Sequence, residues 1–222
     1  MSDRILVIGD DAFEISTLAS ALRMHGIDVI GETKSESAAR NMLRRLQPDV
    51  VVLDMKNIGK SAVKIAINLR IDNPDIGIVI LSSCSDLRFI GEVNSDVPAG
   101  SKVLIKNSLV DFSVLCTAIS DSKKSGLEKH AASWINGNVS LQNKDASTLM
   151  AHLTDTQAET LRLVADGMTN AQIGRTRYVS EKSVEQVISR VAQELNVQPN
   201  HNMNMRVQLV SEYYRLIGAP TH

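Results

Sequence analysis

Pro48-Asp49-Val50-Val51-Val52-Leu53-Asp54 is the stretch on which the fold turns. Four consecutive apolar residues, three of them β-branched, follow a Pro-Asp turn and end on an acid. A run this short and this uniformly apolar predicts a strand buried on both faces, as in a parallel sheet. Three further runs share the pattern. Ile5-Leu6-Val7-Ile8 ends at Gly9-Asp10-Asp11, Ile76-Gly77-Ile78-Val79-Ile80-Leu81 ends at Ser82-Ser83, and Lys102-Val103-Leu104-Ile105 ends at Lys106. Asp28-Val29-Ile30-Gly31 is a weaker fifth strand. Between them the apolar period changes to that of a helix. Ile15, Leu18, Ala19 and Leu22 share one face, as do Ala39, Met42, Leu43 and Leu46, and less cleanly Val63, Ile67 and Ile71. This alternation predicts a doubly wound α/β fold, an open parallel sheet with helices on both faces.

The remainder reads differently. Residues 121–150 are polar, contain Asn-Gly, and predict a linker with one helix around 123–133. From 151 to 222 the pattern is helical throughout. The expected organisation is therefore an α/β domain over 1–120, a linker over 121–150 and a small all-α domain over 151–222. Hydrophobic residues make up 43% of the 222, enough to build both cores. The 24 basic and 25 acidic residues give a net charge of −1, which excludes a polycation that binds nucleic acid by charge alone. With one Trp, three Tyr and three Phe, the chain has too few aromatics for base-stacking platforms. The two cysteines, Cys84 and Cys116, build no disulfide framework and suit a reducing cytosol. The opening Met-Ser-Asp-Arg-Ile-Leu-Val-Ile-Gly-Asp-Asp is neither a signal peptide nor a membrane span, so the expected location is cytoplasmic, with no membrane partner.

In an open parallel sheet, ligands bind outside the carboxyl ends of the strands. Here those ends carry Asp10, Asp11, Asp54, Ser82 and Lys106. Three carboxylates in one crevice repel one another and call for raised pKa values or a bound cation. An all-oxygen set with open positions suits Mg²⁺, which favours phosphate as a co-ligand. Lys106 supplies a point charge for a phosphoryl oxygen, Ser82 a hydroxyl, and Asp54 a nucleophile that would become an aspartyl phosphate.

With Gly9-Asp10-Asp11, the 48–54 run, Leu81-Ser82 and Lys106 assembled, residues 4–120 resemble the receiver domain of bacterial two-component response regulators. The resemblance implies that Asp11 binds Mg²⁺ directly and Asp10 partly through water. It implies that Asp54 accepts phosphate from a sensor histidine kinase and that the backbone carbonyl of Lys56 is a further metal ligand. Ser82 would move onto the phosphoryl group and Lys106 would pair with it. The receiver then catalyses its own phosphoryl transfer without being an enzyme in the usual sense. Three positions depart from the family pattern. Val103 stands where an aromatic residue usually swings inward on phosphorylation, Ile58 replaces a proline, and Ala62 replaces a glycine.

In the third segment, Thr154 with Gln157 three residues on forms a capping-box pattern. Leu161, Val164 and Ala165 follow at core spacing, and Gly167 suits a left-handed helix end. Asn170 opens a short helix anchored by Ile173. Ser180 caps a longer one, 181–195, with Val184, Val187, Ile188, Val191 and Leu195 inward and Glu181, Lys182, Glu185, Gln186, Ser189, Arg190 and Gln193 outward. Two helices, a tight turn and a third with a polar face predict a helix-turn-helix. The stretches Leu161–Ile173, Val179–Val184 and Glu194–Val197 resemble the LuxR/NarL-type DNA-binding domain. That resemblance implies that helix 181–195 enters the major groove of promoter DNA. It also implies that helix 203–217 dimerises through Val207, Val210, Tyr214 and Ile217, giving a homodimer. Lys182, Gln186, Ser189 and Arg190 are the candidate base or phosphate contacts, with Arg175, Arg177 and Arg206 on the backbone. Residues 151–222 hold seven bases and seven acids, so affinity is expected only from a dimer.

These readings converge on a transcriptional regulator whose receiver is controlled by Mg²⁺-dependent phosphorylation of Asp54. Val103 keeps open a regulator that works without phosphate and uses its receiver to dimerise or sense a ligand. Glu185 and the neutral charge keep open a protein–protein adaptor that no longer binds DNA.

Overall fold

The computed structural model describes residues 3–54, 62–91, 96–106, 111–128, 132–135, 148–197 and 204–217. They form two compact units. The first comprises Met1–Ser83 and Ser95–Asn138, the second Cys84–Asn94 and Val139–His222.

The first unit is the predicted doubly wound fold. Its strands are β1 (Arg4–Gly9), β2 (Asp28–Thr33), β3 (Val50–Asp54), β4 (Gly77–Ser82), β5 (Lys102–Ile105) and β6 (Ser133–Ile135). They pair in the order β2-β1-β3-β4-β5-β6, every pair parallel. The helices are α1 (Ala12–Met24), α2 (Glu36–Leu46), α3 (Ala62–Asp72) and α4 (Phe112–Glu128). Alternation along each strand sends Ile5, Val7, Val50, Val52, Val79 and Leu104 to one face. There they meet Ile15, Ala19 and Leu22 of α1 and Leu115, Ala118 and Ile119 of α4. α2 packs on β1 and β2, and α3 on β3 and β4, which puts them on the opposite face. β1 and β3 through β5 are buried along nearly all their length, as their unbroken apolar runs require.

The sheet unit continues past residue 120. α4 runs to Glu128 rather than beginning near 123, and Ser133–Ile135 pairs with β5 as an edge strand. Half of the stretch expected to be a linker therefore belongs to the sheet unit. Residues 136–147 lie outside the described residues.

The second unit holds α5 (Asp155–Ala165), α6 (Asn170–Arg177), α7 (Glu181–Glu194) and α8 (Met205–Leu216). The predicted caps are present. Thr154 and Gln157 form a reciprocal capping box, Ser180 accepts from the Ser183 N–H, and Gly167 is left-handed at φ 81°. A second capping box, Thr169 with Gln172, starts α6. Leu161, Val164, Ile173, Val184, Ile188, Val191, Leu209 and Tyr213 share one core, and Cys84 and Phe89 lie in it with them. Those two residues belong to the segment between β4 and β5, which forms a 3₁₀ turn at Leu87–Ile90.

Candidate functional site

The strand register assembles the first constellation. Gly9 is opposite Asp54, Asp54 opposite Leu81, and Ser82 opposite Ile105. Asp10, Asp54, Ser82 and Lys106 therefore sit at one edge of four adjacent strands. Gly9 permits the close approach, since a Cβ there would lie 2.8 Å from both the Asp54 carbonyl oxygen and Ile15 Cγ1. Asp54 and Ser82 are buried, at 7% and 4% exposure. The Lys106 ammonium forms an ion pair with Asp54 and lies 3.7 Å from Glu14. A cavity of about 450 Å³ opens beside this pair, walled by Phe13, Leu18, Phe112 and Leu115.

The three-carboxylate cage for Mg²⁺ is not assembled. The Asp11 carboxylate is turned onto its own helix, accepting from the Phe13 and Glu14 N–H groups at 2.8 and 3.1 Å as the cap of α1. The charge of Asp54 is met by Lys106. Among the described residues, no group of three or more His, Cys, Asp or Glu side chains is placed to hold a metal ion. Asp10, Asp11 and Asp54 are the carboxylates on this edge that would hold a divalent cation, while Lys56 and Ile58 lie outside the described residues. Val103 is fully buried in β5 and Ala62 begins α3.

The second constellation lies on the helical unit. Lys182, Gln186, Ser189 and Arg190 are all exposed along the outer side of α7, with Arg175 exposed on α6. Glu181, Glu185 and Gln193 share that outer side. Ser189 donates to the Glu185 carbonyl oxygen at 2.9 Å.

Two of the residues expected to contact the DNA backbone have internal partners. Arg177 donates to Glu159 and Thr160 at 2.9 and 2.8 Å, joining α6 to α5. Arg206 donates to Asn170 Oδ1 at 2.9 Å and to the Met168 carbonyl oxygen, joining α8 to the start of α6. Of the expected dimer residues, Val207 and Tyr214 are exposed at 58% and 37%. Val210 is partly buried against the core and Ile217 is buried in it, because the apolar stripe of α8 faces α5. Sequence reasoning missed Arg88 and Phe89, whose roles depend on a contact more than 60 residues away along the chain.

Comparison with known proteins agrees with both halves. Residues 151–207 match the family described as bacterial regulatory proteins, luxR family. The chain is 26% identical over 177 residues to the DNA-binding transcriptional activator DevR/DosR of Mycobacterium tuberculosis, covering 78% of each chain. It is 25% identical over 202 residues to the response regulator protein VraR of Staphylococcus saprophyticus, covering 89% of this chain and 92% of the relative. Over most of its length the chain is similar to response regulators of the NarL/LuxR type. With its luxR-family segment it is a DNA-binding transcriptional regulator. The same two-part fold occurs in RcsB from Salmonella enterica serovar Typhimurium, solved bound to a promoter. The TM-score is 0.52 and the identity 17%, over 96% of this chain and 98% of that one. No helix of the described residues is long and apolar enough to cross a membrane.

Proposed function

We propose that this regulator acts in the cytoplasm, reads promoter DNA as a homodimer, and has its activity set by a phosphoryl group on Asp54. The observation that carries the DNA reading is the open outer side of α7. Lys182, Gln186, Ser189 and Arg190 stand exposed on a helix whose inner face is locked into the core, the arrangement a major-groove reader needs. Arg175 adds a phosphate contact, and Val207 with Tyr214 supplies the apolar part of the dimer surface.

The pair of buried Asp54 with Lys106 supports the phosphoacceptor reading. An Asp54 oxygen attacks the phosphorus of a phosphohistidine on a sensor histidine kinase, or of an acyl phosphate. The new O–P bond forms as the donor's P–N or P–O bond breaks, and the leaving atom keeps the electron pair. Lys106 then pairs with a phosphoryl oxygen and the Ser82 hydroxyl donates to another. No step is routed through a metal.

Two measurements test the proposal. Fluorescence anisotropy with selected promoter fragments should show saturable binding at low salt; no binding to any fragment would remove the DNA reading. Incubation with acetyl phosphate, read by intact mass, should give one phosphoryl adduct that disappears in Asp54→Ala. An adduct that persists in that variant would remove the phosphoacceptor assignment.

A further inference from the structure

Ser82 ends β4 inside the sheet unit, and Cys84, two residues later, is a core residue of the helical unit. Only Ser83 separates them, so at most about 7 Å of chain joins the two. Cys84, Asp86, Arg88 and Phe89 are each held by the helical unit or by one another. Cys84 and Phe89 are fully buried, Cys84 Sγ lying 3.8 Å from Met150 Sδ. The Phe89 carbonyl oxygen accepts from the Tyr213 hydroxyl of α8 at 2.6 Å. Arg88 is the clasp. Its guanidinium holds Asp86 at 2.6 Å and donates to the Met150 and Leu153 carbonyl oxygens at 3.1 and 2.9 Å. It also meets Asp155, the first residue of α5, at 2.8 Å. Gly91 closes the turn at φ 81°, a left-handed conformation that a side chain would strain.

We propose that residues 84–91 are a tether that passes a change at Ser82 directly to α5 and α8, with Arg88 as its positioning residue. The proposal rests on the phosphoacceptor reading for its trigger. A hydroxyl drawn toward a phosphoryl group on Asp54 pulls on a strand end whose continuation is already locked into the helical core. With one intervening residue the displacement has almost no slack in which to dissipate. Val103 gives β5 no aromatic side chain to move, so the tether supplies the route that this position lacks.

The test uses the full chain with hydrogen–deuterium exchange over 155–165 and 205–216, with and without acetyl phosphate and Mg²⁺, and intact mass alongside. The wild type should form the adduct and change its exchange in both helices at least fivefold. A variant with Gly-Gly inserted between Ser83 and Cys84 gains about 7 Å of slack. It should form the same adduct without the exchange change; an unchanged response would overturn the tether. Should that insertion prevent folding, a single Gly inserted at the same point decides: it should form the adduct with a reduced exchange change, and a full response would overturn the tether. Absence of an adduct in the wild type would defeat the phosphoacceptor reading instead, and Arg88→Ala then judges the tether. It should raise exchange in α5 and α8 about tenfold while leaving β1 and β3 unchanged. Unchanged exchange in those helices would overturn the proposal.

Discussion

Arg177 and Arg190 carry the same charge on neighbouring helices and serve different ends. Arg177 is largely buried and holds α6 to α5 through Glu159 and the fully buried Thr160. Arg190 is exposed on the outer side of α7. Arg177→Ala should lower the stability of the helical unit by about 1–3 kcal/mol, since it removes the bonds that join α6 to Glu159 and to the buried Thr160 hydroxyl. Its effect on DNA affinity per folded molecule should be small. Arg190→Ala should leave the urea midpoint in place and weaken DNA binding by about 1–3 kcal/mol. Equal effects on both measurements for either variant would contradict this division.

Cys84 gives a pH prediction at the same scale. Burial pushes its thiol up to about 12 from an ordinary value near 9, which outweighs the lowering effect of a backbone hydrogen bond from Asp86. The folded state thus keeps a proton that the unfolded state releases, so the contribution is complete below pH 9 and is lost as pH rises through 12. The slope is about 1.4 kcal/mol per pH unit. Burial also raises Tyr213, which adds its own loss from about pH 10 upward. Urea denaturation of Cys84→Ala should therefore fall less steeply than the wild type between pH 9 and 10, the remaining loss coming from Cys116, whose thiol is also raised by burial.

At the scale of elements, the sequence was legible where apolar periodicity and caps coincide. The strand runs, the Thr154–Gln157 box, Ser180 and Gly167 each act through neighbours within a few residues, so their roles show in a short window. α4 was misread for a physical reason. Its inner face begins with Leu115, Ala118 and Ile119 and continues with Ser122 and Gly126, small residues that let the helix approach β4 closely. Gly77 completes that approach, since a Cβ there would lie 2.8 Å from Ser122 Oγ. Hydropathy read alone stops at Ile119. β6 has only three residues, too few for any period. The internal partners of Arg177, Arg206 and Ile217 were not legible, because helical spacing shows which side chains share a face but not which partner that face meets. A fragment ending at residue 120 would cut α4 in the middle and expose the edge of β5. It should aggregate more readily than one ending at residue 138, which keeps α4 and β6, as size-exclusion chromatography would show. Identical elution of the two would mean that α4 and β6 do not protect the sheet.

For the whole molecule, the balance of charge sets how DNA is held. Arg162, Arg177 and Arg215 are paired with Asp166, Glu159 and Glu212, and Arg206 is bonded to α6. Arg175, Lys182 and Arg190 are the exposed bases of α6 and α7. Each phosphate neutralised changes the slope of log affinity against log salt by about −0.9. Three contacts give a monomer a slope of about −3, and a dimer with six gives about −5. From 50 to 200 mM salt the dimer should therefore lose about 10³ in affinity. Substituting Val207 and Tyr214 with Ser should bring the slope toward the monomer value, because each protomer then binds alone. A wild-type slope near −10 would require more cations than the exposed set supplies. Arg177 and Arg206 would then have to leave Glu159 and Asn170 on binding DNA, which the stability of Arg177→Ala in the DNA-bound state would reveal.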